Sequence, residues 1–336
     1  MRHRLKDVAE RAGVSVKTVS NVVNGYQHVR PDTRARVEQA IAELNYRPNL
    51  SARSLRKGRT GVIALAVPEL DIPYFAELAR HVVTAAAEHG WTVLIDQTGG
   101  GHEQERRAAS GIGDHLIDGL ILSPLALTAD DLAGLDGLPM VLLGERVDHG
   151  PADHVVVDNV AAARQITAHL VGLGRRRIAA IGAQRTPEGA SARLRLAGYA
   201  AALADAGLGY DERLVAPASA WHRADGAAAM RALLDSGVRP DAVFCFNDTL
   251  ALGALRALHE AGLRVPEDVA VAGFDDIEDG RFSIPTLTTV APDKERIARL
   301  AVELLAGRLS ADRDAPPREV VAPHRLALRE TAPARP

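Results

Sequence analysis

The chain has 336 residues, 47% of them apolar, 25% charged and 4% aromatic, which predicts a globular protein of two or more domains rather than a disordered or membrane-embedded one. A single cysteine, Cys245, excludes an internal disulfide framework and any multi-cysteine metal centre. The net charge of −3 is unevenly spread: residues 1–60 hold 13 Lys/Arg against 5 Asp/Glu and the rest holds 27 against 38, so only the basic head suits a polyanion.

The opening "MRHRLKDVAE" has no apolar stretch of the secretory kind, and no later apolar run reaches bilayer length. A cytoplasmic protein without membrane contact is therefore expected. Val8, Ala9 and Ala12 recur at helical spacing in "LKDVAERA", predicting a short amphipathic helix. Gly13 falls where a tight turn needs positive φ, and Val14 points back to the core. Ser15 is a natural N-cap for a second helix with Val19 and Val22 inward. Small Ala9 permits a close crossing, and the whole is the spacing of a helix-turn-helix.

On that second helix Val16, Lys17 and Asn21 remain outward, in the half that a recognition helix inserts into the major groove. Lys17 can donate to guanine O6 and N7, Asn21 can pair with adenine, and Val16 can pack on a thymine methyl. Ser15, Thr18, Ser20 and Asn24 are short polar groups suited to phosphates. A surface hairpin without a ligand is the competing reading; the turn glycine, inward valines and basic charge weigh against it. A third helix follows in "PDTRARVEQAIAELNY", with Val37, Ile41 and Leu44 inward, Pro31 and Asp32 at its start and Asn45 as a left-handed stop. Arg34 and Arg36 fit phosphates and a solvated face equally well.

In "RPNLSARSLRKGRTG", Pro48 breaks the third helix and Asn49 can cap a helix of about two turns, too short to be stable alone in water. Leu50 and Leu55 stand among Arg53, Arg56, Lys57 and Arg59. That is the composition of a minor-groove wedge, and equally of a basic linker.

The run "LKDVAERAGVSVKTVSNVVNG", continued by "VRPDTRARVEQAIAELNYRPNLSARSLRKGRTGVIALAVP", resembles the LacI/GalR family of bacterial transcription regulators. The resemblance implies a hinge helix that forms on operator DNA, with Leu55 wedged into the central base step and Ala52 and Arg56 beside it in the minor groove. It also places the specificity positions on Val16, Lys17 and Asn21, where Asn21 departs from the arginine that many members carry.

From Gly61 the pattern becomes strand–helix alternation. "GVIALAVP", "WTVLIDQ", "GLILSP", "PMVLLGE" and "HVVVD" read as buried parallel strands, and "RRIAAIG", "RLVAP", "DAVFCFND" and "DVAVAGFDD" form a second series. Two doubly wound lobes are expected, with ligands bound outside the carboxyl ends of their strands. Asp71, Tyr74, Phe75, Ser123, Asn247, Asp248, Asp275 and Asp276 fall at those ends. Arg193 and Arg195 lie in "SARLRLAGY", and Trp221 follows a strand-like stretch. Aromatic faces with carboxylate, amide and guanidinium groups suit a sugar. Singly, each has a structural alternative: Asp248 can cap the following helix, and Asp276 can serve a turn.

"FNDTLALGALRALHEAGLRVPEDVAVAGFDD" and "IPTLTTV" are similar to the family's periplasmic-binding-protein-like effector domain. "SARLRLAG" resembles a segment that supplies a sugar-binding arginine in the family, which carries to Arg195. On the same basis Ser123, Trp221, Asn247 and Asp275 match ligand-contacting positions. "VVVDNVAAARQ" lacks the acidic residue that one sugar-binding member has in that loop, so the same sugar is not expected.

No Walker A, nucleophile elbow or HExxH motif is present, and "TGGGHEQE" lacks the dinucleotide fingerprint spacing. The twelve histidines show no metal-ligand spacing. A glycoside-hydrolysing enzyme and an architectural DNA binder are the alternatives to a ligand-controlled regulator, and no cofactor or metal is expected. The expected architecture is an all-α three-helix helix-turn-helix head (1–47), a hinge (48–60) and an α/β two-lobed periplasmic-binding-protein-like effector domain (61–330) of two doubly wound parallel sheets. The N-lobe takes about 61–159 and 291–321, and the C-lobe about 160–290 and 322–330. The expected partners are double-stranded operator DNA, a small-molecule effector (a sugar, with a nucleoside as the alternative) and a second copy of the chain. Palindromic half-sites demand the homodimer's two-fold symmetry. The end "RLALRETAPARP" has no heptads, so a tetramer built on a C-terminal coiled coil is not expected.

Overall fold

The computed structural model describes residues 3–23, 26, 28–46, 59–111, 116–135, 137–147, 150–184, 186, 189–310 and 315–334. The expected DNA contacts Asn24, Ala52, Leu55 and Arg56 lie outside these residues. The chain divides into two units, Met1–Thr60 and Gly61–Pro336.

The first unit holds helices α1 (Leu5–Ala12), α2 (Val16–Val23) and α3 (Pro31–Glu43). α1 turns Val8, Ala9 and Ala12 inward and stops at Gly13, whose φ of 64° is left-handed. Ser15 Oγ accepts the Thr18 amide at 3.1 Å, the capping bond that starts α2. Val19 and Val22 meet Val37, Ala40 and Tyr46 in the core, with Val14, Ile41 and Leu44 partly buried around it. Asn45 at φ 45° ends α3, which lets the Tyr46 amide reach back to the Ile41 carbonyl at 2.9 Å. Arg34 donates to the Tyr26 carbonyl at 2.7 Å, tying the loop after α2 to α3.

The second unit contains two six-stranded sheets. The first has β1 (Val62–Val67), β2 (Thr92–Gln97), β3 (Gly119–Leu122), β4 (Met140–Leu143), β5 (Asp153–Val157) and β11 (Glu319–Ala322), in the order β11-β5-β4-β3-β1-β2. The second has β6 (Ile178–Ala183), β7 (Val215–Pro217), β8 (Ala242–Cys245), β9 (Ala270–Phe274), β10 (Thr288–Pro292) and β12 (His324–Ala327), in the order β12-β10-β9-β8-β6-β7. Helices α4 (Pro73–Glu88), α5 (His102–Ala109), α6 (Ala129–Ala133) and α7 (Asn159–Gly172) precede β6. Then come α8 (Ala190–Asp205), α9 (Arg223–Asp235), α10 (Asp248–Glu260), α11 (Glu278–Arg281) and α12 (Lys294–Arg308). Residues of β3, β8 and β9 are buried throughout, which is why those strands read as unbroken apolar runs.

One edge differs from the all-parallel expectation: β12 runs antiparallel to β10. The chain leaves β11 at its carboxyl end and enters β12 across Pro323 alone. So β12 begins opposite the end of β10, with His324 paired to Pro292. A parallel strand would need a long crossover there. Among the described residues no helix is long and apolar enough to cross a membrane.

Candidate functional site

The inward faces of Val19 and Val22 decide what α2 presents to solvent. Val16 is 43% exposed, Ser15 and Lys17 are exposed, and Thr18 and Asn21 are half-buried. Ser15 Oγ and Thr18 Oγ1 lie 2.9 Å apart, so two short hydroxyls share one spot near the start of the helix. Ser20 is 8% exposed.

In the second unit a cavity of about 600 Å³ opens at the carboxyl ends of the strands, where doubly wound sheets place ligands. Glu69 reaches it after β1, Ser123 after β3, Glu145 after β4, Asn159 after β5, Gln184 after β6, Trp221 after β7, Asn247 after β8 and Asp275 after β9. Seven of the expected residues line it: Tyr74, Phe75, Ser123, Arg195, Trp221, Asn247 and Asp275. Asp71 does not. Pro73 starts α4 and carries Tyr74 and Phe75 to the wall, while Asp71, in the loop before it, stays exposed. The Asp71 and Glu69 carboxylates and the His222 imidazole bring their ligand atoms within 4.8 Å of one another. His222 Nε2 is already 3.0 Å from Glu69.

Arg195 is the centre of the site. It is 7% exposed, with its guanidinium 3.5 Å from the Phe274 ring centroid and 5.2 Å from that of Trp221, a cation–π arrangement. Nε donates to Asn159 Oδ1 at 2.7 Å, and another of its nitrogens donates to the Phe246 carbonyl. Burial pulls its pKa down while Asp275 and Glu145 pull it up; arginine stays charged in proteins. Asp275 is also 7% exposed. Burial lifts its carboxyl pKa to about 6, against the opposing pull of Arg195 and Lys294. The cavity thus combines aromatic walls, the arginines Arg195 and Arg146, and carboxylates among which burial lifts the Asp275 pKa to about 6.

Asn247 keeps its expected place in the cavity wall and also takes the helix cap that was open to Asp248. Asn247 caps α10, its Oδ1 accepting the Leu250 amide at 2.8 Å, and its Nδ2 donates to the Trp221 carbonyl at 3.0 Å. Asp248 is fully buried and accepts from Thr289 Oγ1 at 2.6 Å and the Ile277 amide at 3.0 Å. Burial, then the Asp275 charge, pushes its pKa well above the carboxylate range. Asp276 is likewise buried, held by Arg281 at 2.9 Å and by Arg329. Sequence reasoning missed Glu145, whose carboxylate accepts from Ser191 Oγ at 2.8 Å. It also missed Asn159, Gln184 and Phe274. The rule that found Asp275, a polar residue just past a strand's end, also fits Glu145 in "PMVLLGE".

A remote carboxylate shapes the wall. Glu105 on α5 is fully buried and accepts the amides of Leu125, Ala126 and Leu127 at 2.7, 3.0 and 3.0 Å. It fixes the loop after β3 that carries Pro124 and Leu125 into the cavity.

Residues 4–49 match the family model of bacterial regulatory proteins, lacI family. Residues 167–332 match that of the periplasmic binding protein-like domain. The HTH-type transcriptional regulator CelR of Thermobifida fusca is 39% identical over 342 residues, 98% of each chain. The structure of a transcriptional regulator CelR–cellobiose complex superimposes with a TM-score of 0.72 at 34% identity, covering 98% of this chain and 100% of that one. The lac repressor dimer bound to operator and the anti-inducer ONPF gives a TM-score of 0.87 at 31% identity, covering 99% and 100%.

Proposed function

The chain belongs to the LacI family of bacterial regulatory proteins, and from that premise we propose that it is a repressor whose homodimer binds a palindromic operator under the control of a small carbohydrate. The observation that carries the effector reading is Arg195. It lies buried against Phe274, in one cavity with Asp275, Trp221, Tyr74 and Phe75. Aromatic faces take the apolar faces of sugar rings, and the two charged groups take hydroxyls through charge-assisted bonds. The volume of about 600 Å³ lies within the ~300–1,000 Å³ usual for small-molecule sites. The CelR structure with cellobiose supports a carbohydrate over a nucleoside.

On DNA, exposed Val16 and Lys17 and half-buried Asn21 read bases, while Ser15 and Thr18 meet phosphate. Ser20 and Asn24 complete that phosphate set. In the hinge, Ala52, Leu55 and Arg56 take the minor groove. The second copy docks on an apolar surface that includes Phe282 and Ile284, which are 78% and 97% exposed, an arrangement costly to leave in water. Asp71 is outside the effector set.

The test is a thermal-shift screen of the full chain against sugars and nucleosides, followed by gel shifts on a palindromic operator with each compound that binds. A sugar that raises the melting temperature and changes operator affinity is expected. A protein stabilised only by nucleosides, or whose operator affinity no bound compound changes, would overturn the reading.

A further inference from the structure

Two residues outside the cavity wall hold together three of the segments that build it. Lys294, the first residue of α12, is 8% exposed. Its ammonium donates to the Asp275 carbonyl at 2.6 Å and the Asp276 carbonyl at 2.9 Å, and lies 2.7 Å from Glu77 Oε2. Three donors meet three acceptors, the full capacity of an ammonium. The other Glu77 oxygen accepts the Glu278 amide at 2.8 Å. Neither Glu77 nor Lys294 lines the cavity.

The two carbonyls on Lys294 belong to residues in uncommon backbone states. Asp275 has φ 114° and Asp276 φ 50°, a region where side-chain-bearing residues persist only when their surroundings hold them. That backbone sets where the Asp275 carboxylate points. Glu77 lies one turn beyond Tyr74 on α4, so the same ion pair also anchors the helix that carries the Tyr74–Phe75 wall. From this geometry we infer that the Glu77–Lys294 pair is a positioning clasp. It holds the Asp275 carboxylate and the aromatic wall at the spacing an effector spans, and so couples effector binding to the alignment of α4, α12 and the β9–α11 segment. The inference rests on the reading of the cavity as the effector site.

A buried ion pair that merely fills space can be replaced by a neutral pair without harm; a clasp cannot. The test uses the full chain with Lys294→Met, Glu77→Gln and the double variant. In effector-free protein, hydrogen exchange at the Asp275 and Glu278 amides should quicken at least tenfold in Lys294→Met, while β1 and β8 keep their protection. Calorimetry with cellobiose as the probe should show at least tenfold weaker binding in each single variant. The double variant should regain the wild-type melting temperature but not the affinity. Wild-type protection at both amides in Lys294→Met, or wild-type cellobiose affinity in the double variant, would overturn the clasp. A wild-type protein that binds no sugar would sink the carbohydrate reading alone, because the exchange measurement still decides whether Lys294 holds this backbone.

Discussion

At the scale of single residues, Asp275 is expected to make the proposed effector site sensitive to pH. Its folded pKa of about 6 lies above the ~3.9 of an unfolded aspartate. The folded protein therefore binds the extra proton between these values. The stability this contributes is present below about pH 4 and is lost as pH rises through about 6. Effector binding should follow the opposite sign, since hydroxyl donors need the ionised carboxylate. Affinity is expected to tighten from pH 5 to pH 7, and Asp275→Asn should flatten that profile in calorimetry. A second outcome concerns Lys17, which is exposed on α2. Lys17→Ala should cost about 1–3 kcal/mol at the best operator and relax preference at one position per half-site. Uniform weakening on all sequences, measured by competition gel shift, would instead mark a phosphate contact.

At the scale of elements, α9 and α10 approach with their backbones nearly touching. A Cβ on Gly253 would run into the Arg223 carbonyl, and one on Gly226 into the Leu250 carbonyl. Gly253→Ala must push the two helices apart, at a cost of about 1–3 kcal/mol by urea unfolding. Trp221 precedes α9 and its carbonyl is held by Asn247, so its fluorescence in the cleft should shift as well. Gly13→Ala is the contrast. Nothing lies within 4 Å of an added Cβ there, and only φ +64° opposes it, so roughly 1–2 kcal/mol of left-handed strain is expected. A Gly253→Ala protein with wild-type urea stability would show that the helix contact yields easily.

At the scale of the molecule, symmetry and the hinge carry the predictions. If the proposed homodimer forms through this face, Phe282→Asp with Ile284→Asp should give monomers in sedimentation and abolish tight binding to a palindrome, because one recognition helix reads only a half-site. An unchanged dimer would place the interface elsewhere. Leu55→Ala should weaken specific binding and reduce DNA bending, while nonspecific, salt-sensitive binding through the basic head survives. Equal bending of a circularly permuted operator by the variant and the wild type would remove the wedge.

Local chemistry determined much of this protein. The inward valines of α1 to α3, the Ser15 cap, the left-handed Gly13 and Asn45, and the buried strands of both sheets are each dictated by neighbours within about one turn or one strand. The basic head against the acidic body is a property of composition alone. The tertiary structure decided what depends on residues far apart in the chain. It left Asp71 outside the wall that Tyr74 and Phe75 form and gave the cap of α10 to Asn247 rather than Asp248. It ran β12 backwards beside β10, set Glu105 under the loop after β3, and brought Lys294 to Glu77. No periodicity records such pairings, since they arise only when the strands' carboxyl ends converge and buried polar groups must find partners across the fold.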